Sequence, residues 1–106
     1  MSIEKDNAIN KIKKLITLLN SNGIDVSEAY LFGSAITGRG NEYSDIDVAI
    51  ISDKFTGNPF YDILKISKFR RAVDLKLEVH PFSMKEIIDG PPLFFTDIKS
   101  KGIRVH

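Results

Sequence analysis

The stretch Leu31-Phe-Gly-Ser-Ala-Ile-Thr-Gly-Arg-Gly-Asn-Glu-Tyr-Ser-Asp-Ile-Asp-Val-Ala-Ile-Ile51 joins two unlike parts. A glycine-rich turn runs from Gly33-Ser34 to Gly40, and an apolar run then carries two acids, Asp45 and Asp47, alternating with Ile46 and Val48. Alternation of period two predicts a strand over Asp45 to Ser52, with Ile46, Val48 and Ile50 on one face and Asp45, Asp47, Ala49 and Ile51 on the other. Both carboxylates therefore point the same way from backbones roughly 6 to 7 Å apart. Like charges so placed repel, and a divalent cation is the counter-charge that suits an oxygen-only donor pair, with Mg²⁺ expected and Mn²⁺ as the alternative.

Upstream, Ala29 to Phe32 reads as a short strand that stops at Gly33, where Ser34 caps a brief helical turn of Ala35, Ile36 and Thr37. A chain that turns from strand into helix at a glycine offers free backbone N–H groups and no side chain, so Gly33 and Ser34 are expected to receive phosphate oxygens. A phosphate cradle beside paired carboxylates points to nucleoside triphosphate chemistry, in which a metal clamps a phosphoryl group for in-line displacement. Arg39 and Ser44 flank this arrangement and are candidate nucleotide contacts; a solvent-facing loop arginine and a turn-stabilising serine are the plainer readings. A P-loop is excluded because Arg39-Gly40 stands where Lys and Ser/Thr are required after Gly33-x4-Gly38, and a dinucleotide fingerprint fails at Tyr43.

Outward from this centre, Ile9, Ile12, Ile16 and Leu19 predict an amphipathic helix over 3–21, ended near Gly23. Residues 53–59 read as a loop, and Phe60, Ile63, Leu64 and Ser67 have the spacing of a second helix over 60–70. Leu75, Leu77 and Val79 alternate with Asp74, Lys76, Glu78 and His80 as a strand closed by Pro81. Ser83 caps a short helix to Asp89, Gly90-Pro91-Pro92 breaks the chain, and a last helical segment covers Leu93 to Lys99. Tyr30, Phe32, Phe60 and Phe69 are expected in the core. The order gives an α/β (α+β) chain, a small mixed β-sheet flanked by helices.

The chain has 106 residues, 42% hydrophobic and 27% charged, which suits a single domain spanning 1–106 with one core. It holds no cysteine, and the first ten residues do not resemble a secretory signal, so a cytoplasmic protein without disulfides or thiolate metal sites is expected. No apolar run is long enough to span a membrane. A net charge of +1 supplies no global field for nucleic acid, which is not an expected partner. The basic positions Lys65, Lys68, Arg70, Arg71 and Lys76 read as a solvated face. His80 reads as a packed or hydrogen-bonded histidine, although its parity matches that of Glu78.

Phe32-Gly33-Ser34, ten residues, then Asp45-Ile46-Asp47-Val48 resembles the signature of the DNA polymerase β-like nucleotidyltransferase superfamily, and the chain length resembles its minimal nucleotidyltransferase (MNT) branch. The resemblance implies a polymerase β-like palm, Mg²⁺ on Asp45 and Asp47, triphosphate on Gly33 and Ser34, and transfer of a nucleoside monophosphate, AMP from ATP, with release of pyrophosphate. It also implies a third acid from a later strand, serving as metal ligand and base; Glu78, between Leu77 and Val79, fits better than Asp74. Relatives of this size imply a protein partner, a helical HEPN-like subunit of a toxin–antitoxin pair, or a homo-oligomer. The competing reading is a catalytically idle antitoxin or scaffold that keeps the fold.

Overall fold

The computed structural model describes residues 3–37 and 44–106. The two-sided character of the Asp45–Ser52 segment organises it. This segment becomes strand β2 (Ile46–Ser52), flanked by the antiparallel β1 (Glu28–Phe32) and the parallel β3 (Leu77–Ser83). A two-residue strand β4 (Ile103–Arg104) adds to the other side of β1, giving the order β3-β2-β1-β4 in a mixed sheet. Parallel neighbours need a crossover, and α3 (Pro59–Val73) supplies it between β2 and β3.

Each face of β2 enters its own apolar cluster. Ile46, Val48 and Ile50 pack with Leu31, Leu77 and Val79 under α1 (Ile3–Ser21), through Ile12, Leu15 and Leu19, and under α3, through Ile66. On the reverse face Ala49 and Ile51 meet Tyr30, Phe82, and Phe95 and Ile98 of α5 (Leu93–Lys101). The acids thus lie on a face that is only partly roofed, which is what allows charge on an otherwise buried strand.

Local chemistry fixes the element ends. Gly23 takes φ +81 after α1, and the amides of Asn22 and Ile24 both donate to Leu19 O at 3.0 Å. Asn58 caps α3 by accepting from Phe60 N, with Pro59 in the first turn, where its missing N–H costs nothing. Asp62 is buried in that first turn and accepts from Thr56 N (2.8 Å), Thr56 Oγ1 (3.0 Å) and Gly57 N (3.0 Å), tying the preceding loop to the helix. Ser83 and Glu86 form a reciprocal capping box at the start of α4 (Met84–Asp89).

Two expectations are corrected and one element is added. The third strand starts at Leu77 rather than near Leu75, which is exposed, and it runs through Pro81 to Ser83. Among the described residues it pairs only with β2, and an edge strand tolerates proline because one side of its backbone needs no partner. Residues 103–104 form a strand because Gly102 permits a close approach: a Cβ there would meet Leu31 O and Ile98 O at 2.7 Å. Phe60 is not in the core. Helix α3 turns Asp62 and Ile66 inward, with Phe69 and Val73 packed at the margin, and leaves Phe60, Ile63 and Leu64 outside.

Candidate active site

The strand register assembles the site. Phe32 of β1 pairs with Asp47 of β2, which pairs with Glu78 of β3, so these three form one row across the sheet. Two rows on, back on the same face, stand Tyr30, Ala49 and His80. Residues in such rows share a face, and Asp47, Glu78 and His80 each offer a ligand atom within 4.8 Å of the others. His80 Nε2 stands 3.4 Å from Asp47 Oδ1.

Gly33 forms a wall of this cluster. It follows β1 with φ +82, a left-handed conformation that side chains resist, and an added Cβ would lie 2.4 Å from Asp47 Oδ2. Glycine is therefore required both by the turn and by the carboxylate beside it. Ser34 begins the four-residue helix α2 (Ser34–Thr37), whose Ile36 amide donates to Gly33 O at 3.1 Å. Ser44 is half-buried just ahead of β2; Arg39 lies outside the described residues.

Asp45 precedes β2 and is exposed. It shares a cavity of about 410 Å³ with Glu78, His80, Arg70 and Lys76 along the open side of β3, while its carboxylate is not part of the Asp47–Glu78–His80 cluster. Asp74 is elsewhere. It ends α3, receives Lys11 Nζ at 2.7 Å and accepts from Lys76 N at 2.7 Å. The Lys11 ammonium first, and the Lys76 amide next, hold its carboxyl below the ordinary value of 3.8. Asp74 thus fastens α3 to α1, and Glu78 is the later-strand acid that faces Asp47.

His80 is the residue whose role the sequence understated. Its parity with Glu78 was visible; its neighbour across the sheet depends on the β2–β3 register, which residue spacing does not set. The imidazole is held by edge contacts with Phe32 (centroids 5.0 Å apart) and Phe94 (5.6 Å). The basic positions of α3 are largely engaged nearby: Lys65 donates to Lys54 O, Arg70 to Leu75 O and Arg71 to Ser67 Oγ.

A divalent cation fits this donor set. Two carboxylates and an imidazole converge around a backbone position stripped of its side chain, and like-charged carboxylates in adjacent strands gain from a shared counter-ion. The sequence profile of the polymerase beta nucleotidyltransferase family matches residues 13–106. The chain belongs to that family. The fold of this nucleotidyltransferase is similar to the crystal structure of a candidate nucleotidyltransferase from Sulfolobus solfataricus, with TM-score 0.68 and 17% identity over 95% of this chain and 81% of the other. It is also similar to a toxin–antitoxin structure solved with AMP-PNP, with TM-score 0.61 and 23% identity over 92% of this chain and 72% of the other. Both likenesses are of fold. No curated protein matches this nucleotidyltransferase by sequence. Among its described residues no helix is long and apolar enough to cross a membrane.

Proposed function

We propose that this nucleotidyltransferase moves a nucleoside monophosphate, AMP from ATP, onto a hydroxyl of a partner protein. The acceptor oxygen bonds to the α-phosphorus, the bond between the α-phosphorus and the bridging oxygen to the β-phosphate breaks, and pyrophosphate leaves. Asp47 and Glu78, joined by Asp45 from the same cavity, would hold the divalent cation, Mg²⁺ or Mn²⁺, which when bound would neutralise charge on the phosphates. Gly33 and Ser34 receive triphosphate oxygens on their backbone amides, with Arg39 and Ser44 at the margin of the nucleotide. Glu78 lies beside the open cavity and accepts the acceptor hydroxyl proton.

One observation carries this reading: register and turn geometry place the Gly33 backbone, the Asp47 carboxylate and the Glu78 carboxylate side by side. A partner is supported by the exposed apolar side of α3, with Phe60, Tyr61 and Leu64 each at least 60% accessible, and by the likeness to the toxin–antitoxin structure. A HEPN-like helical subunit is the partner proposed, with a second copy of this chain as the alternative. The test is incubation with ATP labelled at the α-phosphate, Mg²⁺ or Mn²⁺, and the protein encoded beside this one. Label should pass to that protein and fail to do so with Asp47→Asn. Binding of the partner without transfer from any nucleotide, and undisturbed by Asp45→Asn with Asp47→Asn, would establish the idle-scaffold reading instead.

A further inference from the structure

The geometry points to His80 as a further metal ligand converging with Asp47 and Glu78, making a mixed nitrogen–oxygen site that takes a first-row transition-metal dication in preference to Mg²⁺. This rests on reading the site as metal-dependent, and concerns which metal it selects. His80 follows Glu78 by two in β3 and shares its face, and its Nε2 lies 3.4 Å from Asp47 Oδ1. That separation is long for an N–H···O hydrogen bond. It is close to the spacing of about 3 Å between two donors that each sit about 2.1 Å from one ion at right angles. Phe32 and Phe94 fix the ring from two sides, so its edge stays directed at the carboxylate.

Imidazole nitrogen is a poor ligand for Mg²⁺ and a good one for the softer dications, while the two carboxylates accept either. A site with oxygen donors alone would favour Mg²⁺; one with His80 added shifts toward Mn²⁺, Co²⁺ and their neighbours. The partly roofed position of the cluster also lets an ion enter from the solvent side, since Glu78 is exposed.

The test uses the purified full chain without nucleotide. Mn²⁺ binding is followed by electron paramagnetic resonance, Mg²⁺ by its competition with Mn²⁺, and Co²⁺ by its visible absorption. Wild type should bind Mn²⁺ more tightly than Mg²⁺. His80→Gln should lower the Mn²⁺-to-Mg²⁺ affinity ratio by at least about tenfold, the smaller end of what even indirect metal partners contribute. It should also change the Co²⁺ spectrum, and His80→Asp should move the preference to Mg²⁺. Circular dichroism confirms that each variant is folded. An unchanged ratio and Co²⁺ spectrum in both variants would overturn the assignment, as would Mn²⁺ binding that survives Asp47→Asn. Retained Mn²⁺ preference in a chain that transfers no nucleotide would uphold the metal site while removing the transfer reading.

Discussion

Asp47 is the residue on which every part of the site converges: it touches the space that Gly33 leaves, pairs in register with Glu78 and meets His80. Asp47→Asn keeps its size while removing charge from beside another carboxylate, so without metal the variant should melt no lower than wild type. It should lose the stabilisation that metal confers, which for wild type reaches about 2.7 kcal/mol at a hundred times the dissociation constant. Transfer should fall by at least about a hundredfold, the rate equivalent of about 3 kcal/mol of transition-state stabilisation. Melting with and without Mn²⁺, set beside label transfer, checks both halves. Gly33→Ala acts on the same atoms from the other side. It forces a side chain into a left-handed backbone for about 1–3 kcal/mol and drives its Cβ against Asp47 Oδ2. Chemical denaturation should show that loss, and Mn²⁺ titration should show weaker binding.

Among elements, β3 and the end of α3 separate the two candidate acids. Glu78→Gln should abolish transfer; Asp74→Asn should retain it and instead loosen the link between α3 and α1. After solvent screening the Lys11 pair is worth about 1 kcal/mol or less. The fold holds the Asp74 carboxyl below 3.8, so its contribution is present above that value and is lost as pH falls through the lower folded value. Urea midpoints of wild type and Asp74→Asn should therefore differ at neutral pH and converge in strong acid; a difference that persists there would refute the linkage. Most elements were legible because local signals agree with the fold: Gly23 ends α1, Ser83 caps α4, and the alternation through Ile46, Val48 and Ile50 sets β2. What escaped depends on partners distant in sequence. Pro81 reads as a strand end until β3 is known to be an edge, the strand at Ile103 gives no local signal until Gly102 is seen against Leu31 O, and His80 reads as packed or hydrogen-bonded with no partner named until it is paired opposite Ala49. The same holds for the site, where Gly33, Asp47 and Glu78 stand out by motif and parity while the proximity of His80 to Asp47 requires the register.

At the scale of the whole molecule, the apolar spacing of α3 has a consequence that concerns association. Phe60, Ile63 and Leu64 have helical periodicity, yet the helix buries Asp62 and Ile66 and presents that stripe to solvent, where Tyr61 extends it through an edge contact with Phe60. The inward orientation is imposed by the three hydrogen bonds that Asp62 accepts, which a carboxylate on the outer face could not make. Residues selected for the interior would not be expected on the far side of a helix from the core, and a contiguous apolar stripe on a surface marks a place where another chain sits. Because these side chains support little of the fold, Leu64→Glu and Phe60→Ser should each change stability by no more than about 0.5 kcal/mol. Both should weaken association, read by sedimentation velocity of the chain alone at rising concentration and of its mixture with the protein encoded beside it. Metal affinity, governed by Asp47 on another part of the molecule, should be unchanged in both variants. If either form of association survives the two substitutions together at wild-type strength, the stripe is not the contact surface, and the partner must approach across the open side of β3 beside Glu78.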